Sequence, residues 1–193
     1  MRLKGPVWLM QPIPYFGESL SGDWIYEPKI DGWRLQILKF ANGKVEFWGR
    51  RLERKPNWTK KLERIVVKAE ELLPPGILLD AEISTRRGRR FIPSVFAAKT
   101  TVKPIIYIFD IIFYQNEFIG ELPLEERKRI LNHLRFEPPF CHVKFRPVKD
   151  IKRHLWELVK TGHEGMVIKR LNSKYQIGRD CPMATENWRK IKP

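Results

Sequence analysis

Paired charges recur on single strand faces in this chain. In Leu78-Leu79-Asp80-Ala81-Glu82-Ile83, side-chain alternation puts Asp80 and Glu82 on one face and Leu79, Ala81 and Ile83 on the other. Burying the apolar face leaves two carboxylates projecting into a cleft or solvent. In Trp188-Arg189-Lys190-Ile191-Lys192, the residues Trp188, Lys190 and Lys192 share a face. In residues 107–113, Tyr107, Phe109, Ile111 and Phe113 are expected together, with Asp110 among isoleucines on the other side. A solvated charged face accounts for any one of these strands. The three together, with Glu164-Gly165 leading into a fourth apolar strand, favour acids facing lysines. That arrangement suits a metal and a phosphate, since magnesium is usually held by one or two carboxylates plus substrate phosphates. Lysines then supply point charges for the remaining phosphate oxygens.

Lys29 adds a nucleophile to this list. It lies at a strand end, directly before the tight turn Asp31-Gly32. Such a lysine is either a surface residue in a turn or a reacting amine. Lysine becomes nucleophilic only when desolvation or neighbouring cations lower its pKa. A crowded basic pocket containing Lys190 and Lys192 would do that.

The elements that must position these groups alternate in type. Strands are expected at residues 24–29, 33–40, 44–48, 77–83, 105–114, 141–145, 166–169 and 188–192. The pair around Asn42-Gly43 reads as a hairpin. Helices are expected at 59–73, 123–134 and 150–160, the last with Asp150 as N-cap and Gly162 as its stop. Residues 91–99 read as an ambiguous, short helical segment. In the second helix Glu125 and Glu126 precede Lys128 and Arg129, an order that suits the helix dipole. The class is α+β, with two antiparallel or mixed sheets and flanking helices, in a single domain over residues 1–193.

Composition narrows the partner. The 193 residues carry 37 Lys and Arg against 22 Asp and Glu, a net charge of +15. A surplus of that size favours a polyanion, either nucleic acid or an anionic membrane surface. The membrane is disfavoured: the longest apolar run, residues 105–114, is interrupted by Asp110, and residues 1–6 lead into no signal-peptide core. Cys141 and Cys181 form no CxxC, and the four histidines have no HExxH spacing, so neither a disulfide framework nor a histidine or cysteine metal site is expected. The cluster Arg86-Arg87-Gly88-Arg89-Arg90 is either a solvated loop or a set of contacts along a duplex backbone.

Lys29-Ile30-Asp31-Gly32-Trp33-Arg34 resembles the KxDGxR signature of covalent nucleotidyltransferases, most closely that of small bacterial and archaeal ATP-dependent DNA ligases related to end joining. Further motifs follow in the family's order. Gly49-Arg50-Arg51 stands at its arginine-bearing segment, and Leu79-Asp80-Ala81-Glu82 looks like its LDGE. Phe109-Asp110 resembles its FD strand. Glu164-Gly165-Met166-Val167-Ile168-Lys169 is similar to EGxVxK, and Trp188 to Lys192 to the closing WxKxK. The resemblance implies a ligase-type, ATP-grasp-like nucleotidyltransferase fold with ATP bound between two sheets. Lys29 would become a lysyl-adenylate, and AMP would pass to the 5′-phosphate of a nick in double-stranded DNA before the strand is sealed.

The resemblance also implies roles. Glu82 and Glu164 would serve the ribose and a magnesium or manganese ion. Arg34 and Arg50 would hold ribose or phosphate. Phe109 would stack on adenine, with Val167 opposite. Lys190 and Lys192 would neutralise the α-phosphate, Glu27 would contact the nucleotide, and Asp31 would orient the lysine loop. Asp80 is left with two readings, a site residue or a structural one. Ala81 replaces the glycine usual in its motif, and Lys128 stands where an arginine is common. Family members continue into an OB-fold domain, expected here to be absent or supplied in trans, with end-joining or repair proteins as further partners. A cytoplasmic, nucleoid-associated location follows from the same resemblance. An RNA ligase or a capping-type guanylyltransferase shares the lysine chemistry. A catalytically silent nucleic-acid-binding module would account for the charge alone.

Overall fold

The computed structural model describes every residue from Met1 to Pro193. In chain order the elements are β1 (Gln11–Pro14), β2 (Trp24–Pro28), β3 (Trp33–Lys39), β4 (Val45–Gly49), α1 (Glu63–Leu72), β5 (Ile77–Thr85), α2 (Ile92–Val95), β6 (Pro104–Tyr114), β7 (Glu117–Phe118), α3 (Leu124–His133), β8 (Phe140–His142), β9 (Arg146–Pro147), α4 (Ile151–Lys160), β10 (Met166–Arg170) and β11 (Ala184–Ile191). They form two sheets. One has the order β4-β3-β5-β6-β7, with β8 also on β6. The other has the order β1-β11-β10-β2-β9. Pairing is antiparallel except for β1 on β11 and β8 on β6.

Hydrophobic pattern explains the layers. Leu79, Ala81 and Ile83 of β5 point away from the second sheet. They join Ile65, Val66 and Ala69 of α1 in a core of 20 buried residues. On the second sheet, Tyr26, Ile168 and Ile191 pack against Ile151, Leu155 and Leu158 of α4. Each sheet therefore has one face covered by a helix. The remaining faces meet around Leu38, Leu78, Phe113, Tyr175 and Trp188, and the N-terminal residues Leu3, Leu9 and Met10 fill the end of that seam. Asn42-Gly43 closes the expected hairpin, with Gly43 at φ 86°. β1 has no counterpart among the expected strands, because Pro12 and Pro14 break the pattern; it lies at a sheet edge, where proline costs no ladder bond.

The alternation expected of residues 107–113 fails, and the cause is register. Between β5 and β6, Leu79 pairs with Ile111 and Leu78 with Phe113, while Asp80 pairs with Asp110 and Ala81 with Ile108. The two skipped residues, Ile112 and Phe109, are bulges, and each one re-aims the strand. Ile111 consequently joins Ile106 and Ile108 on the α1 side, whereas Ile112 and Phe113 enter the seam. Asp110 does not lie among isoleucines. It is fully buried and bound through both oxygens by Arg127 of α3, at 2.9 and 3.0 Å. Asp80 projects into neither cleft nor solvent and has no exposed surface, which corrects the expectation from strand alternation and leaves its structural reading.

Arg127 also donates to the carbonyls of Leu122 (2.6 Å) and Ser173 (3.0 Å), so it pins α3 to β6 and to the segment after β10. Burial pushes the Asp110 carboxyl up, but the Arg127 guanidinium outweighs this and holds it below its ordinary value. Arg127→Met leaves that carboxylate buried without a partner and is expected to cost about 3–5 kcal/mol in urea unfolding at neutral pH. The depressed carboxyl stabilises the fold above its unfolded-state pKa, so this contribution fades as pH falls below about 4.

Candidate active site

A cleft of about 620 Å³ opens between the uncovered sheet faces. Lys29 follows the last residue of β2 and lines it. The Lys29 N–H donates to the Gly165 carbonyl at 2.9 Å, which ties the lysine turn to the loop ahead of β10. Gly165 has φ 151°, and a Cβ there would lie 2.1 Å from the Ile191 carbonyl oxygen. Only glycine allows β11 to run this close. That approach brings Lys192 beside Glu164, whose two carboxylate oxygens take the ammonium groups of Lys29 and Lys192, one each. Partial burial pushes the Glu164 carboxyl up, but the hydrogen bonds from Lys192 and Lys29 outweigh this and hold it below its usual value.

Gly32 is the second obligatory glycine. A Cβ there would sit 2.3 Å from the Ile83 carbonyl oxygen and 2.7 Å from Glu82 Cγ. The turn is therefore pressed flat onto β5, and Ser84 Oγ donates to the Asp31 carbonyl at 2.9 Å. The Asp31 carboxylate points outward and accepts from Arg89 at 3.3 Å. Arg34 borders the cleft, but its guanidinium is largely committed. It binds Asp80 through Nε (2.8 Å) and Nη2 (2.6 Å), and Nη2 also reaches the Met10 carbonyl at 2.8 Å. Tyr175 donates its hydroxyl to the same Asp80 at 2.6 Å. The fixed arginine lies 5.3 Å from the centre of the Phe109 ring.

Glu27 lies at the floor. It is 3% exposed, with Lys128 on Oε1 and Lys169 at 2.7 Å from Oε2. Lys128 also donates to the Phe109 carbonyl at 2.7 Å. Lys169 lies 3.9 Å from the centre of the Trp188 ring and 4.6 Å from that of Phe109. Burial pulls the Lys169 ammonium down to about 8, against the attraction of Glu27. Val167 lies between Glu27 and Lys190 in strand register and faces the cleft. Lys190 and Arg50 are exposed and line it without a carboxylate partner.

Of the eleven site residues expected from sequence, eight line this one cleft: Glu27, Lys29, Arg34, Arg50, Glu82, Phe109, Val167 and Lys190. Glu164 and Lys192 join it through Lys29, and Asp31 stands outside, two residues along the turn. Lys128 and Lys169 carry no expected role and are functional parts of the floor. Period-two spacing from Val167 would have found Lys169. Lys128 is marked only by the resemblance, as standing where an arginine is common, and nothing in the helix pattern shows that it is buried. No group of three or more histidine, cysteine or acidic side chains converges on a metal position. Glu82 makes no ion pair and fits a site of one carboxylate plus phosphate oxygens, while both oxygens of Glu164 are already taken.

Glu82 is the carboxyl most perturbed in the cleft. Burial raises it to about 7, only partly offset by Arg34, and Asp80 adds to the rise. Between pH 4.5 and about 7 the folded chain therefore holds a proton that the unfolded chain has released. Stability should fall as pH rises through that window. Carboxyl NMR should place the midpoint near 7, and Glu82→Gln should flatten the pH dependence of urea unfolding across it.

Comparison with known proteins agrees with this architecture. Residues 11–192 match the family described as ATP dependent DNA ligase domain. The chain is 32% identical over 182 residues to a DNA ligase of Archaeoglobus fulgidus, covering 86% of this chain and 31% of that one. It is 29% identical to an SPbeta prophage-derived DNA ligase-like protein of Bacillus subtilis, covering 88% and 61%. It thus spans about a third of the archaeal relative. Among solved structures, mycobacterial DNA ligase D complexed with ATP and MES superposes with TM-score 0.71 at 20% identity, covering 95% of this chain and 60% of that one. The two-sheet fold is that of the nucleotidyltransferase domain of such ligases. With a family match running from β1 almost to the last residue, this chain belongs to the ATP dependent DNA ligase domain family.

Proposed function

We propose that this chain is the adenylation core of an ATP-dependent DNA ligase. The observation that carries the reading is the position of Lys29: its backbone is clamped by Gly165, and its side chain enters a cleft with an aromatic floor and cationic walls. Once deprotonated, the Lys29 amine attacks the α-phosphorus of ATP. A P–N bond forms and the bond from the α-phosphorus to the bridging oxygen breaks. The electron pair leaves on pyrophosphate, which also takes the second amine proton. AMP then passes to the 5′-phosphate of a nick, and the 3′-hydroxyl displaces it.

The cleft supplies positioning and charge stabilisation. Phe109 and Val167 offer faces for the base, and Glu27 stands beside them. Lys190, Lys192 and Arg50 take negative charge from phosphate. Arg34, held still by Asp80 and Tyr175, presents its remaining nitrogen to ribose or phosphate. Asp31 anchors the turn to Arg89. Glu82 would hold a magnesium or manganese ion together with phosphate oxygens, and the ion would neutralise developing charge. Outside the cleft, the exposed Arg86, Arg87, Arg89 and Arg90 suit a duplex backbone, with binding that weakens as salt rises.

The test is covalent labelling. With magnesium and α-labelled ATP the chain should acquire an acid-labile label, and Lys29→Ala should abolish it. Labelling by GTP alone would point to capping chemistry. If neither nucleotide labels the chain, failure to seal a pre-adenylated nick would leave only a binding module.

A further inference from the structure

Residues 143–160 leave the cleft and pass round the edge of the second sheet. Val143 still lines the cleft, and its N–H donates to the Ile108 carbonyl at 2.8 Å. The chain then runs along β9, the edge strand beside β2, and Val148 N–H donates to the Trp24 carbonyl at 2.8 Å. α4 follows on the outer face. Ile151, Leu155 and Leu158 pack it on the sheet, and His154 stacks on Tyr26 at 4.4 Å between ring centres. Five cations on this path, Lys144, Arg146, Lys149, Lys152 and Lys160, are exposed and form no ion pair. The two acids of the segment are occupied. Asp150 caps α4 by accepting from Arg153 N–H at 3.0 Å, and Glu157 accepts from the Arg153 side chain at 2.9 Å.

Trp156 stands among these cations. Of the seven tryptophans it alone is exposed, at 62%. Lys152, Trp156 and Lys160 are spaced four apart, so they form one stripe along the solvent side of α4. The Lys160 ammonium lies 4.8 Å from the centre of the Trp156 ring. The ring adds nothing to the core, because Ile151, Leu155 and Leu158 make the side of α4 that packs on the sheet. An exposed ring between unpaired lysines suits a stacked base with a phosphate on either side. A membrane is disfavoured, since the apolar side of α4 is already used. A stiff duplex cannot follow a path round a sheet edge, and its paired bases offer the ring no free face.

We infer that β9 and α4 form a track for single-stranded nucleic acid, with Trp156 as its base-stacking platform. Lys144 and Arg146 take phosphates at the sheet edge, and Lys149, Lys152 and Lys160 take those flanking the stacked base. The track is separate from the arginine loops that suit a duplex, and it does not depend on the chemistry of Lys29.

The experiment compares a labelled oligothymidylate with a blunt duplex by fluorescence polarisation. Trp156→Ala should weaken oligothymidylate binding about tenfold and leave duplex binding unchanged. Trp156→Phe, which keeps a ring, should retain most of the affinity. Lys152→Gln/Lys160→Gln should flatten the slope of log affinity against log salt by about 1.4. Bound oligothymidylate should shield the exposed tryptophan from acrylamide quenching. No binding by the wild type, unchanged affinity in Trp156→Ala, or the same loss on duplex as on oligothymidylate would each overturn the track. Equal shielding by polyglutamate would assign the face to an acidic protein segment and overturn nucleic acid as its occupant. If ATP fails to label the wild type while oligothymidylate still binds through Trp156, the adenylation reading falls and the track stands.

Discussion

Glu27 is nearly excluded from water and carries a lysine on each carboxylate oxygen. The two lysines come from different layers. Lys169 belongs to β10, in the sheet that also contains Glu27, while Lys128 belongs to α3 and reaches across to the Phe109 carbonyl on the other sheet. One buried carboxylate therefore sets the spacing of the two sheets at the floor of the cleft. Glu27→Gln would leave two buried ammonium groups without their shared carboxylate, at a cost of about 3–5 kcal/mol. Phe109 and Trp188 share Lys169 as a cation above their rings, which fixes the aromatic floor on the same support. Lys29 continues directly from β2 and is held beside this floor by the Gly165 carbonyl on its N–H and by Glu164 on its ammonium group.

The glycines carry the matching constraint on the backbone. Gly32 lays the lysine turn on β5, and Gly165 lets β11 press against the loop ahead of β10. Between them they bring the end of β2, the face of β5 and the end of β11 into reach of one phosphate-sized volume. The charge follows the same division. Cations near the floor are paired and structural, whereas those at the mouth, Arg50, Arg51, Arg54 and Lys190, are unpaired and available to an anion.

Much of this was readable in the residues. Lys29 before Asp31-Gly32 marked the turn that lines the cleft, and the alternation of Leu79, Ala81 and Ile83 placed those three in the core beside α1, although the opposite face of β5 is buried as well. Asn42-Gly43 placed the hairpin. The failures share a cause: period-two reasoning assumes an unbroken strand. β6 carries two bulges, which moved Ile111 to the core and turned Asp110 toward Arg127. Asp80 looked like a cleft carboxylate because local pattern cannot show that Arg34 and Tyr175 would arrive from 46 and 95 residues away. Lys128 was read only as part of a charge order suited to the helix dipole, yet it and Arg127 are buried and satisfy acids on other elements. Buried charge pairs are long-range facts, and a pattern of neighbours does not contain them.

The central claim is that the space between the sheets is the nucleotide site and that Lys29 faces the reacting phosphorus. A crystal structure of this chain with ATP tests it most directly. The account predicts the base against Phe109, near Glu27 and Val167, with the α-phosphate at Lys29 Nζ. Nucleotide bound only on the outer arginine surface, or with its α-phosphate remote from Lys29, would contradict it.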